Sequence, residues 1–341
     1  MSGHLFDMIS KTSKYCSLSL ALFLGLALQG PALAGDLHPA SADVQAAVQD
    51  DPAQTVEEIV VVARRAGAPM WTVERGESTV ILVGAIAGVP RGYEWRPEAL
   101  ESATRRSQRI LYPTEGRASL ADVLRLLWRI RTIARLPDGQ TTADVLPSDL
   151  QARLETVMAN ERSDAWRTSS LVSLGFDLSE KAGYERRGRG AVDAIRRAAR
   201  DARVEGRPVG FVRGDEMVES LITAPPAAYA PCIAASVAAA EAGPEGAAAR
   251  LDAWRNLRVP EVMASPLDQA LNLCWPSGDP DIAPELRRQW AEAVQAALNQ
   301  PGVTLAVAPL RLLAEPGGVL DQLEAAGLDP GGPPWKAASP R

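Results

Sequence analysis

Residues 79–83, Thr-Val-Ile-Leu-Val, form a short β-branched apolar run closed by Gly84. Runs of this length between turn residues read as buried strands. A similar run over 70–74 precedes it, and Arg75, Gly76 and Glu77 between the two predict a hairpin with a glycine turn. Arg96-Pro97 then opens a helix to about Ser107, with proline near the first turn, where its missing donor does no harm. Residues 108–112 read as a strand ended by Pro113. Over 119–136, Leu120, Val123, Leu124, Leu127, Ile130 and Ile133 recur at helical spacing and predict one core-facing stripe, with Ser119 and Asp122 placed for a capping box. Ser148 and Gln151 repeat that cap spacing at the head of a helix over 148–160.

The second half continues the alternation. Arginines crowd 186–204, interleaved with Glu185, Asp193 and Asp201, which reads as a solvated, ion-paired helix face; an anion-binding patch is the other reading. A strand follows over 207–212, then an Ala-rich helical region over 224–258 broken at Pro225-Pro226, Pro231 and Gly243-Pro244. A helix over 284–299, a last buried strand over 303–308 and a helix through Ala326 close the pattern. Strands alternating with helices make this α/β or α+β, a central β-sheet flanked by many helices. The Gly/Pro-rich tail 329–341 is expected to fray.

The N-terminus reads as an export signal. Lys11 and Lys14 precede the apolar run 18–28, and Ala32-Leu33-Ala34 is a small-x-small cleavage site, so residues 1–34 are expected to leave after Ala34 in a periplasmic or secreted protein. That run is shorter than the roughly 20 residues of a spanning helix, and no later stretch is long and apolar enough to serve as a transmembrane segment. Cys16 precedes the apolar run instead of ending a lipobox, so no lipid anchor is expected. Residues 35–55, with Pro39 and Pro52, read as a disordered linker. A β-prone segment over 56–68 leads into the domain proper, 69–328. Loss of Lys11, Lys14 and Asp7 removes a net charge of +1 and takes the chain from −6 to −7. That mildly acidic, mixed surface gives no electrostatic case for nucleic acid. The roughly 300 residues that remain suffice for a sizeable core.

Histidine narrows the chemistry most. The two in the chain are His4 and His38, in the signal and the linker. The folded part therefore has no imidazole for a metal site, a Ser-His triad or acid–base work; Ser78, Thr114 and Ser119 have no such partner. Cys232 and Cys274 are an even pair in an exported chain, open to a disulfide or to two separately buried thiols. Trp71, Trp95, Trp128, Trp166, Trp254 and Trp290 read as core anchors in preference to a ligand cage.

Two resemblances follow. Residues 56–65, from Val56 to Arg65, resemble the short N-terminal segment with which TonB-dependent receptors pair with TonB as an added strand; a first strand or linker packing on its own domain fits the same residues. From about Pro69 to Leu328 the chain resembles the TraB/GumN family, which includes PrgY and the Tiki metalloproteases. The resemblance rests on Met70-Trp71-Thr72-Val73, the strand ending at Gly84, Trp95 to Leu100, Arg207-Pro208-Val209, 303–308 and the helix from Gly318 to Gly327. It implies metal-dependent peptide hydrolysis, with ligands from two Gly-x-x-His loops and acids on neighbouring strands.

This sequence departs from the family pattern at each of those positions. Ala87 stands for the first histidine and Leu312, beside Arg311, for the second. Pro113 takes the place of one acid, with Glu115 two residues on, and Arg213 that of another, with Asp215 and Glu216 nearby. The family's Arg-Asn pair falls near Leu286-Arg287. The resemblance therefore implies a degenerate, pseudoenzyme-like member without metal or cofactor, binding a peptide or envelope protein at the former active-site rim. Arg213 and Arg311, if they converge, favour an anionic group such as a C-terminal carboxylate. The alternative is a hydrolase with displaced ligands, in which Glu115, Asp215, Glu216 and Glu315 in loops hold Mg²⁺ or Ca²⁺.

Overall fold

The computed structural model describes residues 67–337 apart from residue 138. The signal, the linker and the 56–65 run lie outside the described residues. Strands β1 (Met70–Arg75) and β2 (Ser78–Ala85) form the expected antiparallel hairpin, in register from Met70 opposite Val83 to Arg75 opposite Ser78. Gly76 turns the chain at φ +58°, a conformation costly for other residues. Helix α1 (Glu98–Arg106), β3 (Arg109–Tyr112), a short β4 (Glu115–Arg117) and α2 (Leu120–Ala134) follow. A helical layer comes next: α3 (Thr142–Val145), α4 (Ser148–Met158), α5 (Leu171–Lys181) and α6 (Ala191–Ala202). Then come β5 (Gly206–Pro208), β6 (Phe211–Arg213), α7 (Gly214–Thr223), α8 (Ala230–Arg255), α9 (Val259–Ala264), α10 (Pro266–Leu273) and α11 (Ile282–Leu298). Strand β7 (Gly302–Pro309), α12 (Leu310–Ala314) and α13 (Val319–Ala325) complete the fold. Helix α8 kinks where Gly243 leaves helical geometry ahead of Pro244; Pro231 breaks nothing, because it lies in the first turn.

The main sheet runs β1-β2-β7-β3-β5, parallel beyond the first hairpin. Parallel strands covered on both faces read as continuous apolar runs, and Val80 to Val83 and Leu305 to Ala308 are all fully buried. Each Val, Leu or Ile among them contributes roughly 1.5–3 kcal/mol of transfer free energy. A second core, among them Leu154, Leu171, Leu174, Ile233 and Val237, joins α4, α5 and α8. There Cys232 and Cys274 are disulfide-bonded, and Gly175 on α5 leaves them room, since a Cβ would lie 3.0 Å from the Cys232 sulfur. Among the described residues no single helix is long and apolar enough to cross a membrane.

Several expectations are corrected. The stripe expected to face the core on α2 is turned largely outward: Leu120, Leu124 and Leu127 are exposed, while Ile133 at its far end is buried as expected and packs on Val218 of α7 beside Leu126, which lay outside the stripe. Trp128 is likewise exposed, whereas Trp71, Trp166, Trp254 and Trp290 are core residues. The capping box of Ser119 and Asp122 does form, while Ser148 lies inside α4 behind Pro147 and caps nothing. The 207–212 strand divides: β5 joins the main sheet, and β6 pairs with β4 in a separate two-stranded sheet.

Within the described residues the tail, expected to fray, packs on the domain. Gly331 exchanges two backbone hydrogen bonds with Thr72, of 2.9 and 3.0 Å, on the outer edge of β1. The buried Trp71 indole donates to Pro333 O (2.8 Å), and Trp335 donates to Asp321 (2.9 Å). The tail thus covers an edge that would otherwise be open to strand pairing. Truncation after Leu328 is expected to cost at least about 1 kcal/mol, because it removes the hydrogen bonds of Trp71 and Thr72 and uncovers the Trp71 ring. An unchanged urea midpoint would show that the tail is undocked in solution.

Candidate functional site

The parallel register sets Gly84 beside Ala308 and Ala85 beside Pro309, so the loops after β2 and β7 leave the sheet side by side. Carboxyl ends of parallel strands are where loops of an α/β sheet gather side chains. A side chain at Gly84 would have to displace Leu310, because a Cβ there would lie 2.4 Å from Leu310 Cδ1 and 3.2 Å from the Trp71 ring. Its carbonyl accepts from the buried Trp254 indole (2.9 Å), which lies against Trp95 at 5.0 Å between ring centroids. Gly88, at φ +76°, meets Tyr184, whose ring leaves no space for a side chain there.

Beneath these loops lies a buried charge cluster. Arg250 of α8, 3% exposed, donates through Nε and Nη2 to Asp268 Oδ1 (3.1 and 2.8 Å) and through Nη1 to Ala87 O (3.0 Å). Arg311 of α12, 17% exposed, donates through Nε to Asp268 Oδ2 (3.0 Å) and through Nη2 to Met263 O (2.6 Å). Two guanidiniums thus share one carboxylate, leaving a formal charge of +1 under the loop. Tyr184 lies close enough for Arg250 to act on its phenol, whose pKa burial raises while Arg250 and Arg186 oppose the rise. Tyr184, three arginines (Arg91, Arg186 and Arg187) and two acids (Glu180 and Glu185) line an open depression of about 460 Å³ beside this loop. A second cleft, about 350 Å³, lies at the amino-terminal ends of β3 and β7, lined by Arg109, Arg207 and Thr304.

The residues singled out in the sequence are dispersed. Ala87 is exposed in the first loop and Leu312 half-buried on α12. Pro113 links β3 to β4. Glu115 heads β4 instead of sitting in a loop, and pairs with Arg196 (3.3 Å). Asp215 and Glu216 occupy the first turn of α7, where Asp215 accepts from Arg213 Nε (3.0 Å) and a second bond from its Nη2. Those bonds hold the Asp215 carboxyl below its usual pKa and raise that of Arg213. Glu315 ends α12 and pairs with Arg287 (2.7 Å). Arg213 and Arg311 share no partner: one is tied to Asp215, the other to Asp268.

Glu115, Asp215 and Glu315 are therefore each committed to an arginine, and Glu216 lies 3.7 Å from the same Arg213 that holds Asp215. Among the described residues, no three His, Cys, Asp or Glu side chains converge to hold a metal ion. The donors present do not fit the divalent site that the family resemblance implies. Arg250 and Asp268 were not legible as site residues. They stand 18 residues apart on α8 and α10, each among other charged or polar positions, so no local pattern marks them.

A mixed-sheet α/β domain with paired loops at the carboxyl ends of β2 and β7 is the class that this geometry defines. The chain belongs to the TraB/PrgY/gumN family, whose profile matches residues 69–330. No curated protein and no solved structure matches it.

Proposed function

We propose that this protein is a non-catalytic TraB/PrgY/gumN member, an exported binding or scaffold protein of the cell envelope. The observation that carries this reading is the Arg250–Asp268–Arg311 cluster under the Ala87 loop. A site with two cations to one carboxylate opposes a divalent ion and favours an anion. Ala87 and Leu312 offer no ligand atom on their side chains. Arg311, the more exposed of the two arginines, is the group placed to meet a peptide carboxylate at the rim. The Arg213–Arg311 pairing expected from the sequence is replaced in this reading by Arg250 and Arg311.

Elemental analysis and a cleavage assay test it together. Purified protein is expected to hold no stoichiometric Mn, Zn or Co, and to cleave no peptide when these ions are added. Stoichiometric metal that supports cleavage would end the proposal. The peptide preference is read separately: free C-terminal carboxylates are expected to bind better than their amides, and Arg311→Leu to erase the difference.

A further inference from the structure

Helix α2 carries four of the five large apolar side chains left in water among the described residues. Leu120 is 85% exposed, Leu124 66% and Trp128 87%, with Leu127 beside them. At about 100° per residue the four form one stripe, roughly opposite the Leu126–Ile133 face that packs on α7. Side chains this exposed stand proud of the surface, so the stripe is a convex ridge and not the wall of a groove.

The charges that α2 itself sets beside the stripe are of one sign; the acids of the neighbouring α7, Asp215, Glu216 and Glu219, lie on the other helix. Arg125 and Arg129 run along one flank, and Arg131 and Arg135 continue the stripe past Trp128. None of these four is ion-paired with another described residue. The helix's single acid, Asp122, is turned back into the capping box, bonded to the Ser119 hydroxyl and backbone N–H.

The geometry points to α2 as a docking helix for an anionic lipid surface. Leu120, Leu124, Leu127 and Trp128 enter the interfacial layer, and the arginines lie at the level of the lipid phosphates. A helix with Leu and Trp on its outer face and arginines beside them lies in the plane of such an interface. A second copy of the chain fits less well. It would set the arginines of one copy against those of the other, with no acid of α2 free to answer them. This surface is separate from the loops after β2 and β7, so the proposal stands apart from the functional reading of those loops.

Co-sedimentation of the full chain with phosphatidylcholine vesicles, with and without phosphatidylglycerol, tests it. The wild type is expected to partition onto the anionic vesicles, and less so as salt rises. Each arginine near an anionic surface contributes about fivefold, so R125E/R129E should bind at least ~25-fold more weakly by the same measure. L124S/W128S alters only exposed positions, should keep the wild-type circular dichroism, and is expected to lose about tenfold or more. Three results would overturn the proposal: equal binding to neutral and anionic vesicles, variants that bind like wild type, or a wild-type dimer that L124S/W128S converts to monomer. The second would place membrane affinity elsewhere in the chain, and the third would assign the ridge to self-association.

Discussion

Replacing Asp268 by alanine is expected to cost about 3–5 kcal/mol, the largest loss from any one side chain outside the apolar core. The substitution leaves Arg250 buried with only the Ala87 carbonyl as partner, and strips Arg311 of its counter-charge. The cost comes chiefly from the stranded cation, because a well-packed apolar replacement of a buried ion pair is often close to neutral. The double variant R250L/D268L should therefore lie within about 2 kcal/mol of wild type, and a double-mutant cycle in urea should return a coupling of roughly 2–3 kcal/mol. An Asp268→Ala protein within about 1 kcal/mol of wild type would show that water reaches Arg250 once its carboxylate is gone.

Loss of the Cys232–Cys274 bridge is expected to cost about 3–4 kcal/mol. The cysteines are 42 residues apart, and closing a loop of that length removes about 4 kcal/mol of unfolded-chain entropy in the simplest account. The bridge ties α8 to the end of α10, at the margin of the helical core formed with α4 and α5. C232A/C274A, or the wild type under reductant, should melt about 10 °C lower in a domain of this size. The same midpoint with and without reductant, in protein shown by alkylation to hold no free thiol when oxidised, would mean that packing already confines that loop.

What the sequence made legible follows from how local each signal is. Strands β2 and β7 stand out because both are buried on two faces, so their apolar runs are unbroken. The box of Ser119 and Asp122 is readable because three residues hold all its parts. The orientation of α2 is not readable, for a physical reason: the stripe is a wide arc with two sides, Leu120, Leu124 and Leu127 on one and Ile130 and Ile133 on the other, where Leu126 adjoins them. Periodicity shows both and cannot choose which one α7 covers. Strand β4, Glu-Gly-Arg, is exposed throughout and has no apolar pattern to betray it. The Arg250–Asp268–Arg311 cluster joins three helices across 61 residues of chain, so its members meet only once the fold is known. The departures at Ala87 and Leu312 were visible at once, but what lies below them was not.

The antiparallel bridge between Thr72 and Gly331 has a mechanical consequence. Going backward from Thr72 and forward from Gly331, the two ends of the described chain run off along the same edge in the same direction. Whatever holds the protein at either terminus thus suspends the domain from one corner, and tension applied there loads β1 before it reaches the sheet's centre.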